Sequence, residues 1–538
     1  MKKRTKLTAI FLAAIMLLCG CEKIADNSDT SNSESTSTSS DTGGEQPLDT
    51  FLPKEYTVMK TSYVSKLEAE KGSFSGTARD RRGEELQHPD IGGYVEISKG
   101  QHLTQTATVP TSQFYRVIIS ARSENGASIK LRVGESVEGS YYIPQHDEAG
   151  EGELDEDGYG LFAVDCLYMS VGLNSLNLTV EDGAADIDYL IVEDAAAVSA
   201  DLYRTGSACV SPNASSKTVE LMTVLSENFG KYTFTAQNVS CGTNVEIDTI
   251  YNETQRYPAI RVSELALAMK DDAHSAETVQ NDIEAARKWN REGGICAYTW
   301  HWYSPNAIRG VERRDYDIHT VMSGIEPSEL ALLDDEAIQL QLENELITQD
   351  TVDLLADIDL LAKTLKPLSD SDIPILFEPI PDGDAGLFWW GADADSYRSL
   401  WILIFDRLIK YNDIKNLIWV WNNSDFDYYP GDEYIDIIGQ SFYERSNSSF
   451  AGRFSALGSD IRTGRKMLAV TACDVLPSVD FMARDNAMWL WTAADSGEYI
   501  IDRTGRYSEM YNPKAVMRGL YNNEKCITRD ELKALFGD

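Results

Sequence analysis

Basic residues are scarce in this chain of 538 amino acids. Lysine and arginine together number 48 against 86 aspartates and glutamates, so the formal net charge is −38 at pH 7. A chain this acidic repels phosphate backbones, and we therefore expect no nucleic-acid partner. An uncharged ligand such as a sugar polymer meets no such repulsion.

Long apolar runs are also missing. Residues 7–18 are apolar and follow a basic start, but the run is too short to span a bilayer and predicts a signal peptide over residues 1–20. Leu18-Cys19-Gly20-Cys21 resembles a bacterial lipobox, which implies that Cys21 is lipidated and becomes the mature N-terminus.

Residues 21–57 follow this motif and predict a tether. Within them, residues 28–42 hold 11 Ser or Thr and no apolar side chain, so they cannot form a core. We therefore expect an exported protein, lipid-anchored at the outer face of a bacterial membrane.

Cysteine pairs of the CxxC type are absent from the sequence. The remaining six cysteines lie too far apart in sequence for a zinc ribbon. An extracellular location permits disulfides, and buried free thiols are equally compatible with the sequence. These six are Cys166, Cys209, Cys241, Cys296, Cys473 and Cys526.

The rest of the chain divides into two patterns. Residues 58–196 contain short alternating or apolar runs between Gly, Asn, Asp and Ser turns, which predicts a jelly-roll-like β-sandwich. From residue 215 to 538 strand and helix patterns alternate, and eight βα units predict a (β/α)8 TIM barrel. The predicted barrel strands are residues 232–236, 259–262, 295–300, 375–377, 417–421, 435–439, 467–471 and 487–491.

All ten tryptophans fall between residues 289 and 491. Packing within the barrel explains single tryptophans, whereas a cluster at one face favours stacking on sugar rings. Eight side chains near predicted strand ends are therefore candidate sugar-contacting residues: Trp300, His301, Trp302, Trp389, Trp390, Trp421, Tyr443 and Trp491.

Roughly residues 220–520 resemble glycoside hydrolase family 26, chiefly β-mannanases. The matching segments include Arg256-Tyr257-Pro258-Ala259-Ile260, Trp300-His301-Trp302, Leu387-Phe388-Trp389-Trp390-Gly391, Asn416-Leu417-Ile418-Trp419-Val420-Trp421 and Tyr429-Pro430-Gly431-Asp432-Glu433. Members of this family are retaining enzymes, which need one carboxylate as acid/base and a second as nucleophile.

The resemblance breaks at both catalytic positions. The family motif Arg-Pro-Leu-His-Glu after strand four reads Glu378-Pro379-Ile380-Pro381-Asp382, so Asp382 stands at the acid/base position. The motif Leu-Thr-Glu after strand seven reads Val470-Thr471-Ala472, so Ala472 stands at the nucleophile position. A methyl group cannot attack an anomeric carbon, which implies loss of the covalent mechanism.

Two functions follow from these substitutions. The first is a surface-anchored protein that binds β-mannan or glucomannan and has lost hydrolysis. The alternative is an active endo-1,4-β-mannanase that uses Asp382 with a displaced carboxylate such as Asp474, which points to the side of Ala472 if the strand continues. A solute-binding lipoprotein of a transporter would fit the anchor but not the eight strands.

The N-terminal β region is similar to carbohydrate-binding module family 35. The similarity rests on Leu67-Glu68-Ala69-Glu70, Gly92-Gly93-Tyr94-Val95 and Asp186-Ile187-Asp188-Tyr189-Leu190. By this resemblance Glu68, Glu70 and Asp188 bind a structural Ca²⁺ ion, for which carboxylate oxygens are suitable ligands. Three ordinary surface carboxylates are the other interpretation.

Overall fold

The computed structural model describes residues 63–87, 92–134, 136–143, 158–270, 272–305, 316–460 and 464–536. The chain forms two compact units, with the boundary between Ala197 and Val198. The predicted signal peptide, Cys21 and the tether lie outside the described residues. Within the described part, no helix has the length and apolar character needed to cross a membrane, and the six cysteines beyond the lipobox are free thiols.

The first unit is rich in β-structure, as predicted. Its strands are β1 (Val64–Glu68), β2 (Ser73–Phe74), β3 (Thr77–Asp80), β4 (Gly93–Ser98), β5 (His102–Val109), β6 (Gln113–Arg122), β7 (Ala127–Val133), β8 (Ser136–Ile143), β9 (Gly160–Met169) and β10 (Gly172–Asp194).

Strand β10 organises this unit. Its first half pairs with β5 and β7 and its second half with β1, β4 and β6, in each case antiparallel. Gly183, at φ +76°, separates the halves, and a Cβ there would collide with the backbone oxygen of Gly126. Alternating apolar side chains from both groups of strands, such as Val95, Leu131 and Leu190, share one hydrophobic core.

The second unit contains the predicted barrel. Eight parallel strands form a closed ring, because β11 pairs with both β12 and β18, and a short β19 (Cys526–Ile527) lies beside β11. The ring consists of β11 (Thr233–Asn238), β12 (Ile260–Glu264), β13 (Ile295–Trp300), β14 (Ile375–Pro379), β15 (Leu417–Asn422), β16 (Ile437–Phe442), β17 (Met467–Cys473) and β18 (Trp491–Ala494).

Helices connect these strands. Side-chain caps mark several of their starts: Ser215 accepts from the Thr218 amide, Asp272 from Ser275 and Asp393 from Ser396. The helices are α1 (Ser216–Asn228), α2 (Val245–Thr254), α3 (Ala273–Arg291), α4 (Ile318–Met322), α5 (Pro327–Leu330), α6 (Asp335–Glu343), α7 (Gln349–Ser369), α8 (Ala394–Asp406), α9 (Ala451–Ser459), α10 (Val479–Arg484), α11 (Lys514–Tyr521) and α12 (Arg529–Leu535).

The second unit begins at Val198 rather than at residue 215. The amide of Val210 donates to Asp436 Oδ1 at 2.8 Å, and Trp419 Nε1 donates to Ser211 Oγ at 3.1 Å. Residues 198–214, which lie between the two predicted domains, are therefore part of the barrel unit.

The side chains of each barrel strand alternate between the barrel axis and the helix layer. On β13, Tyr298 points outward and its hydroxyl donates to Asp282 of α3 at 2.8 Å. Its neighbour Thr299 lines the central cavity, as does Asn422 of β15. The inward residue nearest each strand's C-terminal end therefore faces the mouth of the barrel.

Candidate active site

A cavity of about 160 Å³ lies at the C-terminal ends of the barrel strands. Every strand of the ring, or the residue that follows it, contributes to its wall, which is the usual place for chemistry in this architecture. Four apolar residues contribute to the wall: Val239, Val262, Pro381 and Ala472. The polar lining residues are Asn238, Ser263, Glu264, Thr299, His301, Glu378, Asp382, Asn422, Ser441, Tyr443, Thr471, Asp495 and Ser496.

Glu264 holds His301 as a cation. Its Oε2 lies 2.5 Å from His301 Nδ1, and its Oε1 accepts from the amides of His301 at 3.0 Å and Ala266 at 2.8 Å. Burial lowers the pKa of His301, but the charge and hydrogen bond of Glu264 outweigh it and raise the pKa to about 9. The imidazole is therefore protonated at neutral pH.

Glu378 lies at the base of the cavity and is 7% exposed. Its Oε1 accepts from Asn422 Nδ2 at 2.9 Å and from Thr471 Oγ1 at 3.3 Å. Burial, with a contribution from the charge of Asp382, raises the pKa of Glu378 to about 8, against the lowering effects of Asn422 and His301. At neutral pH this carboxyl group is mostly protonated.

Asp382 stands above Glu378 on a strained loop. Its backbone is left-handed at φ +52°, and Ile380, two residues earlier, has φ +43°, which is a costly conformation for a β-branched side chain. The Asp382 amide donates to Asn422 O at 2.8 Å and holds the loop over the barrel. Burial and then Asp384 raise the pKa of Asp382 to about 7, while His301 opposes this.

Ala472 and Asp495 occupy neighbouring positions in the wall. Ala472 presents only a methyl group, while Asp495, after β18, accepts from Tyr443 Oη at 2.8 Å and from the Ser496 amide at 2.7 Å. The Asp495 amide donates to Cys473 O at 2.9 Å, which fixes it beside β17. A carboxylate is therefore present one strand beyond the position where the family motif places one.

Asp474 does not share this cavity. The strand ends at Cys473, and the Asp474 carboxylate accepts from the amides of Arg445 at 3.0 Å and Val475 at 2.7 Å. The prediction that it points to the same side as Ala472 is corrected, because the chain turns at this residue and its side chain closes the loop.

The six predicted sugar-stacking tryptophans are buried, whereas His301 and Tyr443 do line the cavity. The most exposed tryptophan of the set, Trp389, is 9% exposed, and its Nε1 donates to Trp302 O at 2.7 Å. Burial of all six rings leaves no open face for a sugar, which corrects the predicted role. The buried set is Trp300, Trp302, Trp389, Trp390, Trp421 and Trp491.

Phe388 is the aromatic side chain that remains half-buried beside His301. Its ring stacks on Trp390 with centroids 4.3 Å apart and lies 5.6 Å from the His301 ring. One face of this ring is thus backed by protein, as a sugar-stacking platform requires.

The predicted calcium ligands lie where β1 pairs with β10. Lys66 Nζ lies 2.9 Å from Glu68 Oε1, and Arg81 Nη2 lies 2.6 Å from Asp188 Oδ1. Glu70 Oε2 is buried without a hydrogen-bond partner, and burial followed by the charge of Glu68 raises the pKa of Glu70. In the described ranges, no three His, Cys, Asp or Glu side chains converge to hold a metal ion. Glu68 and Asp188 are each paired with a cation, so a Ca²⁺ ion would compete with Lys66 and Arg81 for these carboxylates.

Sequence reasoning missed Glu264 and Asp495. The predicted second strand ended at residue 262 and the predicted eighth at 491, whereas these strands end at Glu264 and Ala494. Once the boundaries are correct, Glu264 is the last residue of its strand and Asp495 is the residue that follows its strand, so inspecting these two positions at each strand finds both carboxylates.

Comparison with known proteins matches residues 210–531 to the model of glycosyl hydrolase family 26. A mannan endo-1,4-beta-mannosidase of Thermothelomyces thermophilus is 29% identical over 290 residues, 53% of this chain and 56% of the relative. Mannan endo-1,4-beta-mannosidase B of Piromyces sp. is 24% identical over 450 residues, 82% of this chain and 72% of the relative. The chain thus spans little more than half of the first relative.

Solved structures share the fold. A Podospora anserina GH26-CBM35 beta-(1,4)-mannanase superposes with TM-score 0.54 at 22% identity, covering 88% of this chain and 99% of that one. A ruminal GH26 endo-beta-1,4-mannanase gives 0.55 at 21% identity, with coverage of 88% and 99%. With the family model matched over more than half of its length, the chain belongs to glycosyl hydrolase family 26.

Proposed function

We propose that this protein binds β-mannan or glucomannan at the mouth of its barrel and has lost the covalent hydrolysis of its family. The observation that carries the proposal is Ala472 in the cavity wall, at the position where the family motif requires a nucleophilic Glu. At the acid side, Asp382 is one methylene shorter than Glu and Pro381 replaces an imidazole, so this side is altered as well.

The cavity retains groups that bind a polyhydroxylated ligand. His301, Asn422 and Tyr443 present donors or acceptors of hydrogen bonds in the cavity wall. Phe388 lies beside His301 with one protein-backed face. The relatives are described as mannan endo-1,4-beta-mannosidases. A termite-symbiont β-mannanase with TM-score 0.51 and 22% identity was solved with a gluco-manno-oligosaccharide. These names favour a mannan-type ligand for this cleft.

The N-terminal unit fits a carbohydrate-binding role in the same proposal. We infer a jelly-roll-like sandwich of the family 35 kind, with Glu68, Glu70 and Asp188 as calcium ligands. The similarity to the Podospora protein, described as GH26-CBM35, supports it by extending over 88% of this chain. With a lipid on Cys21, both domains would work at the outer face of a bacterial membrane.

Affinity electrophoresis tests the binding. The chain lacking residues 1–56 should be retarded in gels that contain mannan or glucomannan, but not in gels with dextran. His301→Ala should reduce the retardation, whereas His319→Ala, an exposed histidine on α4, should not. Equal migration with and without mannan would refute the proposal. Retardation unchanged by His301→Ala would assign the binding to residues 58–196.

A trapping reagent tests the loss of covalent chemistry. A 2-deoxy-2-fluoro-mannosyl fluoride accumulates a glycosyl-enzyme on retaining enzymes, because the second step is slow. The intact mass of this protein should stay unchanged after incubation. A mass increase of one fluoromannosyl group would show that a nucleophile operates here.

An active endo-1,4-β-mannanase is the second candidate. It is favoured by Asp382, because burial raises its pKa to about 7, which suits a general acid at neutral pH. This candidate needs a second carboxylate in the cavity, and Asp474 does not provide it.

A further inference from the structure

Asp382 and Asp495 face the cavity from opposite sides. Asp382 follows β14 and Asp495 follows β18, which lie four strands apart in a closed ring of eight. The family pair follows strands four and seven, which are closer together. Retaining glycosidases hold their carboxylates about 5–5.5 Å apart, and inverting ones about 6.5–9.5 Å apart to admit a water molecule. Asp382 and Asp495 lie on opposite strands with the cavity between them, and inversion needs a cavity between its two carboxylates for the water molecule.

Their hydrogen bonds separate the two carboxyl groups chemically. Asp495 accepts from Tyr443 Oη, the Ser496 amide and the Asn238 side chain, which stabilise its ionised form against the effect of burial. Asp382 accepts from Ser441 Oγ at the long distance of 3.4 Å. Burial raises the pKa of both carboxyl groups, but three donors oppose that rise at Asp495, whereas Asp382 accepts the long hydrogen bond from Ser441. The hydrogen bonds therefore favour ionisation of Asp495 over that of Asp382, which is the order that a base and an acid require.

Ala472 gives this arrangement a place for water. It lies in the wall beside Asp495, and its methyl group leaves open the space that a longer side chain would fill. The substitution that removes the nucleophile thus makes room for a hydrolytic water next to a carboxylate.

We propose that Asp382 and Asp495 hydrolyse a β-mannosidic bond with inversion, an inference that rests on the proposed glycan site. Asp382 gives its proton to the glycosidic oxygen as the bond from C1 to that oxygen breaks. Water attacks C1 from the opposite face, and its proton passes to Asp495. Exchange with solvent then returns the proton to Asp382. The new reducing end is the α-anomer.

Proton NMR of mannohexaose hydrolysis by the full chain tests the stereochemistry. The α-anomer signal should appear first, and the β-anomer should grow later by mutarotation. First appearance of the β-anomer would overturn the inference. Absence of new reducing ends would also overturn it, and retardation in mannan gels would then leave the binding proposal standing. Failure of both measurements would remove the glycan site itself.

Asp→Asn variants distinguish the acid role of Asp382 from the base role of Asp495. Asp495→Asn should lower the rate at least about 100-fold on both mannohexaose and 2,4-dinitrophenyl β-mannobioside, since every substrate needs the activated water. Asp382→Asn should show a comparable loss on mannohexaose only, because dinitrophenolate leaves without a proton. Asp474→Asn is the matched control outside the cavity and should keep the parent rate. An Asp495→Asn rate equal to that of Asp474→Asn would refute the role of Asp495.

Discussion

The buried carboxyl group of Glu378 should make the barrel less stable as the pH rises. Replacing it in Glu378→Gln keeps the shape of the side chain and the acceptor for Asn422 Nδ2 and Thr471 Oγ1. The variant removes only the ability to ionise. We expect it to match the parent protein at acidic pH and to be more stable at neutral and alkaline pH.

The size of the effect follows from the pKa of Glu378, which burial raises from 4.5 to about 8. Between these values the folded state binds a proton that the unfolded state has released, so the free energy of unfolding falls as pH rises through this window. Each pH unit contributes about 1.4 kcal/mol per proton. The stability gap between Glu378→Gln and the parent should therefore grow by at most about 5 kcal/mol from pH 4.5 to pH 8.

Urea unfolding followed by tryptophan fluorescence measures this gap. All ten tryptophans lie between residues 289 and 491, so the signal reports the barrel unit alone. Glu264→Gln gives a contrasting control. Because Glu264 raises the pKa of His301 to about 9, that variant should be less stable than the parent, with the gap closing from about pH 6.5 to about pH 9. Parallel stability curves for Glu378→Gln and the parent would refute a protonated Glu378.

Three further outcomes are expected. Ala472→Glu alone should not restore retaining mannanase activity, because the new carboxyl group would join several others around the cavity and stay protonated. The variant with all four changes, Glu378→Arg, Pro381→His, Asp382→Glu and Ala472→Glu, should have at least about 100-fold more mannanase activity than Ala472→Glu alone. Residues that act as a unit contribute non-additively, so the single change is not enough. Calcium should raise the melting temperature of the first unit relative to chelator, and Glu70→Ala should abolish the difference; identical curves for the parent would remove the calcium site. Phe388→Ala should weaken retention in mannan gels while its exposed neighbour Leu387→Ala does not, and equal retention would exclude stacking on that ring.

The barrel can be predicted from the sequence because each barrel strand packs against protein on both of its faces. Such a strand appears in the sequence as a short apolar run. Seven of the eight strands overlap their predicted positions by half of their length or more, whereas β18 starts at Trp491, where the predicted strand ends. The run before Trp491 is equally apolar, so composition could not locate the strand. That error concealed Asp495.

The tryptophans show a different limit. Trp300 and Trp421 lie at strand ends, which suggested a surface role, but neighbours Thr299 and Asn422 take the inward positions. Which member of an adjacent pair faces the axis depends on register across the whole ring. By contrast, Asp382 and Ala472 were located by motif, since the flanking residues fix the alignment independently of three-dimensional structure.

Strand β10 constrains when the first unit can form. It is the last strand of that unit to be synthesised, yet β1, β4, β5, β6 and β7 all pair with it. Until residue 194 has left the ribosome, these five strands lack a common partner, and pairing then closes loops of up to about 130 residues. Folding of the unit is therefore a late, all-or-none event on the growing chain. A chain that stops at residue 171 should stay unfolded and sensitive to protease.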